Sequence, residues 1–336
     1  MRAFVVTGPG RSGVQDLPEP VAAPGQVVVE ITRVGVCGTD VEFFTGDMAY
    51  LGSGHAAYPI RLGHEWAGRV VATAADVDQG WLGRRVTGDT MLGCGRCARC
   101  RAGRQHVCEE RYELGIRGGF AGALAERMAI PASSLHALPD TVDDMTGALV
   151  EPGGNALRAV WASGVEPGER LLVLGPGTIG LLAGLLARAL GAEVHLAGRS
   201  ERSRAFASSL GFAVSTVDAL PPGPWDGVID ATNAPGMPAL AVELVEPGRK
   251  VAYIGLSTTP SLVDSRDLLL KDVTATGILS GSPGLAGTIE RYASGAVDPR
   301  PLVAATVGLA EVTDVLAGRR PGGAGAGPKF HVDPRR

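Results

Sequence analysis

Two groups of side chains in this sequence have the types and spacing to hold metal ions. The first is dispersed: Cys37 in Gly35-Val36-Cys37-Gly38-Thr39-Asp40, and His64 with Glu65 in Pro59-Ile60-Arg61-Leu62-Gly63-His64-Glu65-Trp66. A thiolate, an imidazole and a carboxylate are the ligand types that bind a catalytic zinc while leaving one position open. A His-Glu pair is also an ordinary surface pair at a turn. Thr39 adds a hydroxyl two residues from the thiol, and Asp40 a carboxylate that either orients the His64 ring or caps a helix. The second group is compact: Gly93-Cys94-Gly95-Arg96-Cys97-Ala98-Arg99-Cys100, then Cys108. Four thiolates fill the tetrahedral shell of zinc, so this site should be structural. An iron–sulfur cluster uses similar spacing, but no proline follows the fourth cysteine and no second cluster motif occurs. Arg96, Arg99, Arg101 and Arg104 either offset the thiolate charge or form a plain solvated face. With four of the five cysteines so used, Cys37 is the one thiol left for a separate zinc with His64 and a carboxylate.

A third stretch bears on a cofactor. The apolar run Glu169 to Leu174 leads into Gly175-Pro176-Gly177-Thr178-Ile179-Gly180 and then a helical run to Leu190. Gly-x-Gly-x-x-Gly alone is a weak signal; between a strand and a helix it reads as a dinucleotide-binding turn, its amides facing a pyrophosphate at the helix N-terminus. The next strand, Glu193 to Ala197, runs into Gly198-Arg199-Ser200-Glu201-Arg202-Ser203-Arg204. An NAD enzyme is expected to place an acidic residue near position 199 for the ribose hydroxyl. Arg199 and Ser200 stand there instead, and an arginine can hold a 2′-phosphate with two parallel bonds. NADP(H) is therefore expected over NAD(H), with Arg204 in support and Arg202 behind. Both of these arginines also fit a plain helix face, and Glu201 fits a helix start.

The elements that must position these groups follow from the whole chain. At 336 residues two domains are the default. Net charge −4 and 20% charged residues give no basic footprint for nucleic acid. The N-terminus reads as a short strand and turn without the apolar core of a signal peptide. Leu171 to Ala187 approaches membrane-span length, but Gly175, Pro176, Gly177 and Gly180 interrupt it, so it reads as a buried strand and helix. Cysteines without a signal peptide point to reduced thiols or metal sites, and a cytoplasmic protein is expected. The β-branched run 26–34 should be a strand that delivers Cys37. Residues 46–58 read as a loop, with Tyr50 and His55 either lining a pocket or simply solvated. Further strands are expected at 227–230 and 250–256, with 230–233 at a strand end facing the nicotinamide side. The chain from 285 to Leu316 reads as helix, loop and helix. Residues 318–328 read as a flexible connection before a last strand, 329–332, to which no function is assigned.

Taken in order, these features resemble the zinc-dependent medium-chain alcohol dehydrogenases over almost the whole chain. Gly35–Asp40, Gly63-His64-Glu65, the four-cysteine lobe, Gly118-Gly119-Phe120-Ala121, Leu149-Val150-Glu151-Pro152 and Gly175–Gly180 carry the likeness. The Glu-Pro pair is similar to the sorbitol, threonine and cyclitol dehydrogenase branch. The resemblance implies an α/β protein with a GroES-like β-rich catalytic domain (1–152 and 286–336, the zinc lobe at about 90–110) and a Rossmann doubly wound parallel-sheet cofactor domain (153–285). It implies two zincs per chain, the catalytic one on Cys37, His64 and either Glu65 or Glu151, and a proton route that begins at Thr39. For Glu151 a helix-start carboxylate before Pro152 is the plain alternative. The implied activity is hydride transfer between NADP(H) and a secondary alcohol or ketone, a polyol, sugar, cyclitol or amino alcohol, in a homodimer or homotetramer with no membrane or nucleic-acid partner. The chain departs from the branch at Gly153–Arg158, where larger apolar residues and often a histidine at the position of Arg158 are the rule. A zinc-independent quinone or enone reductase, or a silent NADP-binding sensor, are the rival readings; neither needs Cys37, His64 and Glu65.

Overall fold

The computed structural model describes all residues, 1–336, as two compact units: Met1–Glu151 with Ile289–Ser294 and Arg300–Arg336, and Pro152–Thr288 with Gly295–Pro299. The fold is α/β, a GroES-like unit and a unit built on a Rossmann-type parallel sheet.

In the first unit the long strand Gln26–Val36 is the spine. Seven of its eleven residues are β-branched, and most of the strand is buried, as expected for a strand covered on both faces. Strand Glu65–Thr73 runs antiparallel along one edge. The other edge is shared: Arg127–Pro131 pairs with its first half, and the final strand Lys329–Val332 pairs with its last three residues. Strands Arg85–Gly88, Leu135–Ala137 and Val303–Val307 complete a seven-stranded sheet. The core packs Phe4, Ile31, Phe43, Leu62, Trp66, Leu114, Leu124 and Met128, all essentially buried. Register therefore brings residues 35, 65 and 331 side by side, although they are far apart in sequence.

The second unit carries six parallel strands in the order Ala213–Ser215, Glu193–Ala197, Arg170–Leu174, Gly227–Asp230, Lys250–Tyr253 and Thr274–Gly277. Numbered by sequence this is 3-2-1-4-5-6, the doubly wound dinucleotide-binding order. The reversal of direction lies at Arg170–Leu174, so the turn that follows it opens at the crevice of the sheet. Leu172, Leu174, Trp225, Val228 and Val251 form the core beside that central strand. The uncharged run from Leu171 is a buried strand and the helix Thr178–Ala189; no helix is long and apolar enough to cross a membrane.

One expected stretch differs. Residues 285–316 are not helix, loop and helix, because Val303–Val307 is a strand. Its sequence, Val-Ala-Ala-Thr-Val, is too short and alanine-rich to show a period of two, and pairing with Lys329–Val332 rather than propensity decides its state. Residues 46–58 contain one helical turn, Ala49–Gly52.

His331, in the final strand, is fully buried, and neither ring nitrogen has a partner. Burial, with Lys329 and Arg33 nearby, pushes its pKa down to about 3 from 6.5. Folding thus requires the neutral ring. Stability from this residue is whole above pH 6.5 and falls as the pH drops toward 3, by up to about 1.4 kcal/mol per pH unit. Replacing His331 with Leu is expected to flatten the acid limb of stability, read as urea midpoints between neutral pH and mild acid. An unchanged slope would show that the ring titrates normally in the folded protein.

Candidate active site

The turn after the spine strand is fixed by its own sequence. Cys37 is the N-cap of helix Gly38–Thr45, and the Asp40 carboxylate accepts from the Cys37 amide at 2.8 Å. Asp40 is thus not the N-cap expected of it but the third residue of the helix, reaching back to the cap amide, and its Oδ1 lies 3.8 Å from His64 Nδ1. Burial lifts the Asp40 carboxyl above the usual carboxylate range, against the pull of His64 and the Cys37 amide. With Nδ1 turned to Asp40, Nε2 is the ring's donor to any metal. His64 and Glu65 sit at the start of the neighbouring strand, and one donor atom each from Cys37, His64 and Glu65 lie within 4.8 Å of one another.

Glu151 comes to the same region from another element. It opens the helix Val150–Ser163 and is 8% exposed. Thr90 joins it to the histidine segment: its hydroxyl is 3.4 Å from Glu151 Oε1 and 3.3 Å from the His64 carbonyl. Burial disfavours charge on His64, but hydrogen bonding to Cys37 and the charges of Asp40, Cys37 and Glu151 raise its pKa to about 10. That is the mark of a buried anionic pocket short of a cation. A divalent ion fits this donor set, and thiolate, imidazole and carboxylate are zinc ligands.

The second cation in reach is one that the sequence did not advertise. Lys329, 3% exposed, donates to Glu65 Oε1 and Oε2 at 2.8 and 2.7 Å and to the Val36 carbonyl at 3.1 Å. Burial works against its ammonium, yet Glu65, Cys37 and Asp40 raise its pKa. The only hint in the sequence is a lysine at the head of an otherwise apolar strand.

Thr39 is partly buried, one residue before Asp40, and its hydroxyl makes no hydrogen bond within the protein. Tyr50 is committed to Glu113, at 3.2 Å, and His55 is exposed and bonded to Ser53. Arg158 donates to the Ser280 carbonyl.

The four cysteines of the lobe converge without a metal-independent reason to do so. One Sγ from each of Cys94, Cys97, Cys100 and Cys108 lie within 4.8 Å of one another. Backbone amides of Arg96 and Cys97 lower the Cys94 thiol to about 6, while burial pushes Cys100 up to about 12. Thiolates this close cannot all ionise unless a cation sits among them, which again fits zinc. Of the nearby arginines, Arg96 pairs with Glu110 and Arg99 with Glu109 at the surface.

In the second unit, Gly175 turns the chain at φ 95°, a left-handed conformation that favours glycine. Gly177 caps the helix that starts at Thr178 and continues through Ile179 and Gly180. Its first-turn amides lack helical acceptors, as at any helix start. After the second strand, Gly198 is buried while Arg199 and Ser200 are exposed. Ser200 caps the helix Glu201–Ser209, accepting from Ser203. Arg204 donates to the carbonyls of Gly198 and Arg199 at 2.8 and 2.7 Å. It braces the loop, whereas Arg199 extends from it.

The Alcohol dehydrogenase GroES-like domain family matches residues 23–140, and the Zinc-binding dehydrogenase family residues 178–294. The chain is 33% identical to an L-threonine 3-dehydrogenase of Saccharopolyspora erythraea over 83% of each chain. This chain belongs to the zinc-dependent medium-chain alcohol dehydrogenase family. Within the family it falls with the threonine and sorbitol dehydrogenases: a sorbitol dehydrogenase of Halalkalibacterium halodurans is 30% identical, over 84% of this chain and 85% of that one. A zinc-binding dehydrogenase of Sinorhizobium meliloti, solved with NADP bound, superposes with TM-score 0.88 at 28% identity, over 99% of both chains. As a dehydrogenase of this family the protein acts on a small-molecule substrate.

Replacing Cys97 with Ser is expected to remove one equivalent of metal per chain and to lower the thermal midpoint. The equivalent lost from a Cys37→Ser protein should be a different one. Metal analysis of the purified variants checks this; loss of both metals from either variant would contradict two independent sites.

Proposed function

We propose that the protein is a zinc-dependent, NADP(H)-preferring dehydrogenase that interconverts a secondary alcohol and a ketone on a polyol, sugar, cyclitol or amino alcohol. The observation that carries the reading is the buried cluster of Cys37, His64 and Glu65, donors within 4.8 Å, in a chain of this family. Cys37 and His64, with a carboxylate from Glu65 or Glu151, would hold the catalytic ion; Cys94, Cys97, Cys100 and Cys108 would hold a structural one. Zinc, when bound, polarises the substrate oxygen and stabilises the negative charge that develops on it. The nicotinamide supplies the hydride acceptor or donor.

The chain's own groups do the rest. Asp40 Oδ1 faces Nδ1 of the His64 ring at 3.8 Å and would steady it by charge, with Nε2 presented. The unengaged hydroxyl of Thr39 accepts the substrate proton and passes it toward solvent. The amides of Thr178, Ile179 and Gly180, with the turn at Gly175 and Gly177, receive a pyrophosphate. Arg199 and Ser200 would meet the ribose phosphate at the exposed bend. Arg204 supports that reading indirectly, by holding the carbonyls on either side of the bend. The names of the similar threonine and sorbitol dehydrogenases favour hydroxyl-rich or amino-alcohol substrates. Reduced thiols in both clusters suit a cytoplasmic setting.

A dimer or tetramer is part of the same reading. Strand Thr274–Gly277 is the edge of its sheet, paired on one side only, and Leu262, Leu269 and Leu270 in the same stretch are each more than 80% exposed. An open edge flanked by apolar side chains invites pairing with a second copy. Light scattering should give a dimer or tetramer, and Leu269→Glu with Leu270→Glu should shift it toward monomer; unchanged mass would move the interface elsewhere.

The decisive titration compares NADPH with NADH by nicotinamide fluorescence. NADPH is expected to bind more tightly, and Arg199→Asp to weaken it by about 10- to 100-fold, the worth of one charge-assisted pair, with NADH little affected or improved. Equal affinities in the parent protein would remove the case for NADP(H) and leave the family membership intact.

A further inference from the structure

We propose that a cavity of the first unit, walled by Gly54, His55, the cysteine lobe and the turn through Arg117 and Gly118, is an oxyanion site. It would take the carboxylate or phosphate group of a small molecule, with Arg117 as its main ligand. Its groups lie outside the cluster of Cys37, His64 and Glu65, so it stands whether or not that cluster carries a metal.

The cavity has a volume of about 630 Å³, within the range of small-molecule sites. Arg117 lines it, and the protein's own contacts leave this residue unexplained. Its side chain is 16% exposed, yet its guanidinium makes no hydrogen bond within the protein, and its one ion pair, with Glu113 Oε1, is stretched to 4.0 Å. Its carbon lies 5.9 Å from the centre of the Tyr50 ring, a contact that steadies the cation and consumes none of its donors. A guanidinium carries five N–H groups. Burying them without acceptors is costly, so such a group marks a place where an acceptor belongs.

The neighbours of Arg117 do not need its charge. Glu113, 4% exposed, already accepts from Arg111 Nε at 2.8 Å and from the Tyr50 hydroxyl at 3.2 Å. Arg111 spends Nη1 on the Cys108 carbonyl and keeps Nη2 uncommitted at the same cavity. Arg96 and Glu110, both lining it, answer each other. Cys94 lines it too, but neither Arg111 nor Arg117 donates to a cysteine sulfur, so the lobe does not consume them. One positive charge is left over. His55 adds a ring nitrogen, because Ser53 engages Nδ1 and leaves Nε2. The Gly118 amide donates to the His55 carbonyl at 2.9 Å and ties the two walls together. At φ 76° Gly118 also stays bare where a Cβ would strike the Tyr112 ring. A guanidinium edge matches carboxylate and phosphate with two parallel bonds, which sets the ligand class.

The test titrates inorganic phosphate calorimetrically into the zinc-loaded full chain, with the nicotinamide cofactor saturating so that the turn after Gly175 is filled. Phosphate should bind the parent protein, and Arg117→Met should weaken it about 10- to 100-fold, the worth of a charge-assisted bond. Arg69→Met, at an exposed arginine of another strand, should bind as the parent does. Cys37→Ser should also bind phosphate as the parent does, which separates this site from an anion held at the metal. No binding by the parent, parent-like binding in Arg117→Met, or equal loss in Arg69→Met or Cys37→Ser would overturn the proposal. D-Gluconate and sorbitol, as competitors, identify the group that is read. Displacement of phosphate by gluconate extends the site to carboxylates, and its absence restricts the site to phosphates; both uphold an oxyanion site, whereas displacement by sorbitol would overturn it. Should Arg117→Met not fold, phenylglyoxal modification of Arg117 in the parent, located by mass spectrometry, carries the test. Phosphate should protect that residue, and modification at an unchanged rate would overturn the proposal.

Discussion

The constraint on which the first unit depends is the burial of like charge. Cys37, Asp40, Glu65 and Glu151 surround a single imidazole, and Asp40, Glu65 and Glu151 are all under 10% exposed. Anions brought out of water and close together cost far more than packing returns, unless each finds a cation or a proton. Lys329 supplies one positive charge to Glu65, the raised pKa of His64 marks where another is wanted, and burial lifts the Asp40 carboxyl above its ordinary range. Removing one partner of a buried pair such as Lys329–Glu65 costs about 3–5 kcal/mol, a large part of a domain's stability. The strands Gln26–Val36, Glu65–Thr73 and Lys329–Val332 are adjacent in the sheet so that these charges can meet.

The second unit meets its requirement with backbone instead of charge. A parallel sheet in the 3-2-1-4-5-6 order opens a crevice at its point of reversal, and the turn from Gly175 lies there. At the bend after its second strand Gly198 is buried, Ser200 caps a helix, one guanidinium nitrogen of Arg204 is bonded to two carbonyls, and Arg199 is exposed.

Much of this was legible in the sequence, where signals are local. The strand that delivers Cys37, the turn and helix from Gly175, the helix-start role of Glu201 and the final strand 329–332 all follow from short-range pattern. Asp40 was expected either to cap the helix or to face His64; Cys37 takes the cap position, and the two oxygens of Asp40 turn to the Cys37 amide and toward the ring. What was not legible depends on distance along the chain. Lys329 and Glu65 are 264 residues apart, and no spacing rule links them. Val303–Val307 is a strand because of its neighbour. Sequence shows the charge of Arg204 and hides the two carbonyls that one of its nitrogens bonds. Spacing likewise could not tell Glu65 from Glu151, since only the fold shows that a lysine grips the first and a threonine touches the second.

The two cysteine-bearing sites also differ in when they can exist. The lobe draws all its donors from residues 94–108, a short loop whose closure is entropically cheap, so it can take up metal as soon as that stretch has left the ribosome. The grip on Glu65 waits for residue 329. A nascent chain, built from the N-terminus and folding as it emerges, passes most of its synthesis with Cys37, His64 and Glu65 present and Lys329 still unmade. The order of synthesis therefore separates the two sites: the donors of the lobe are made together, while the carboxylate of Glu65 is made long before the ammonium that pairs with it.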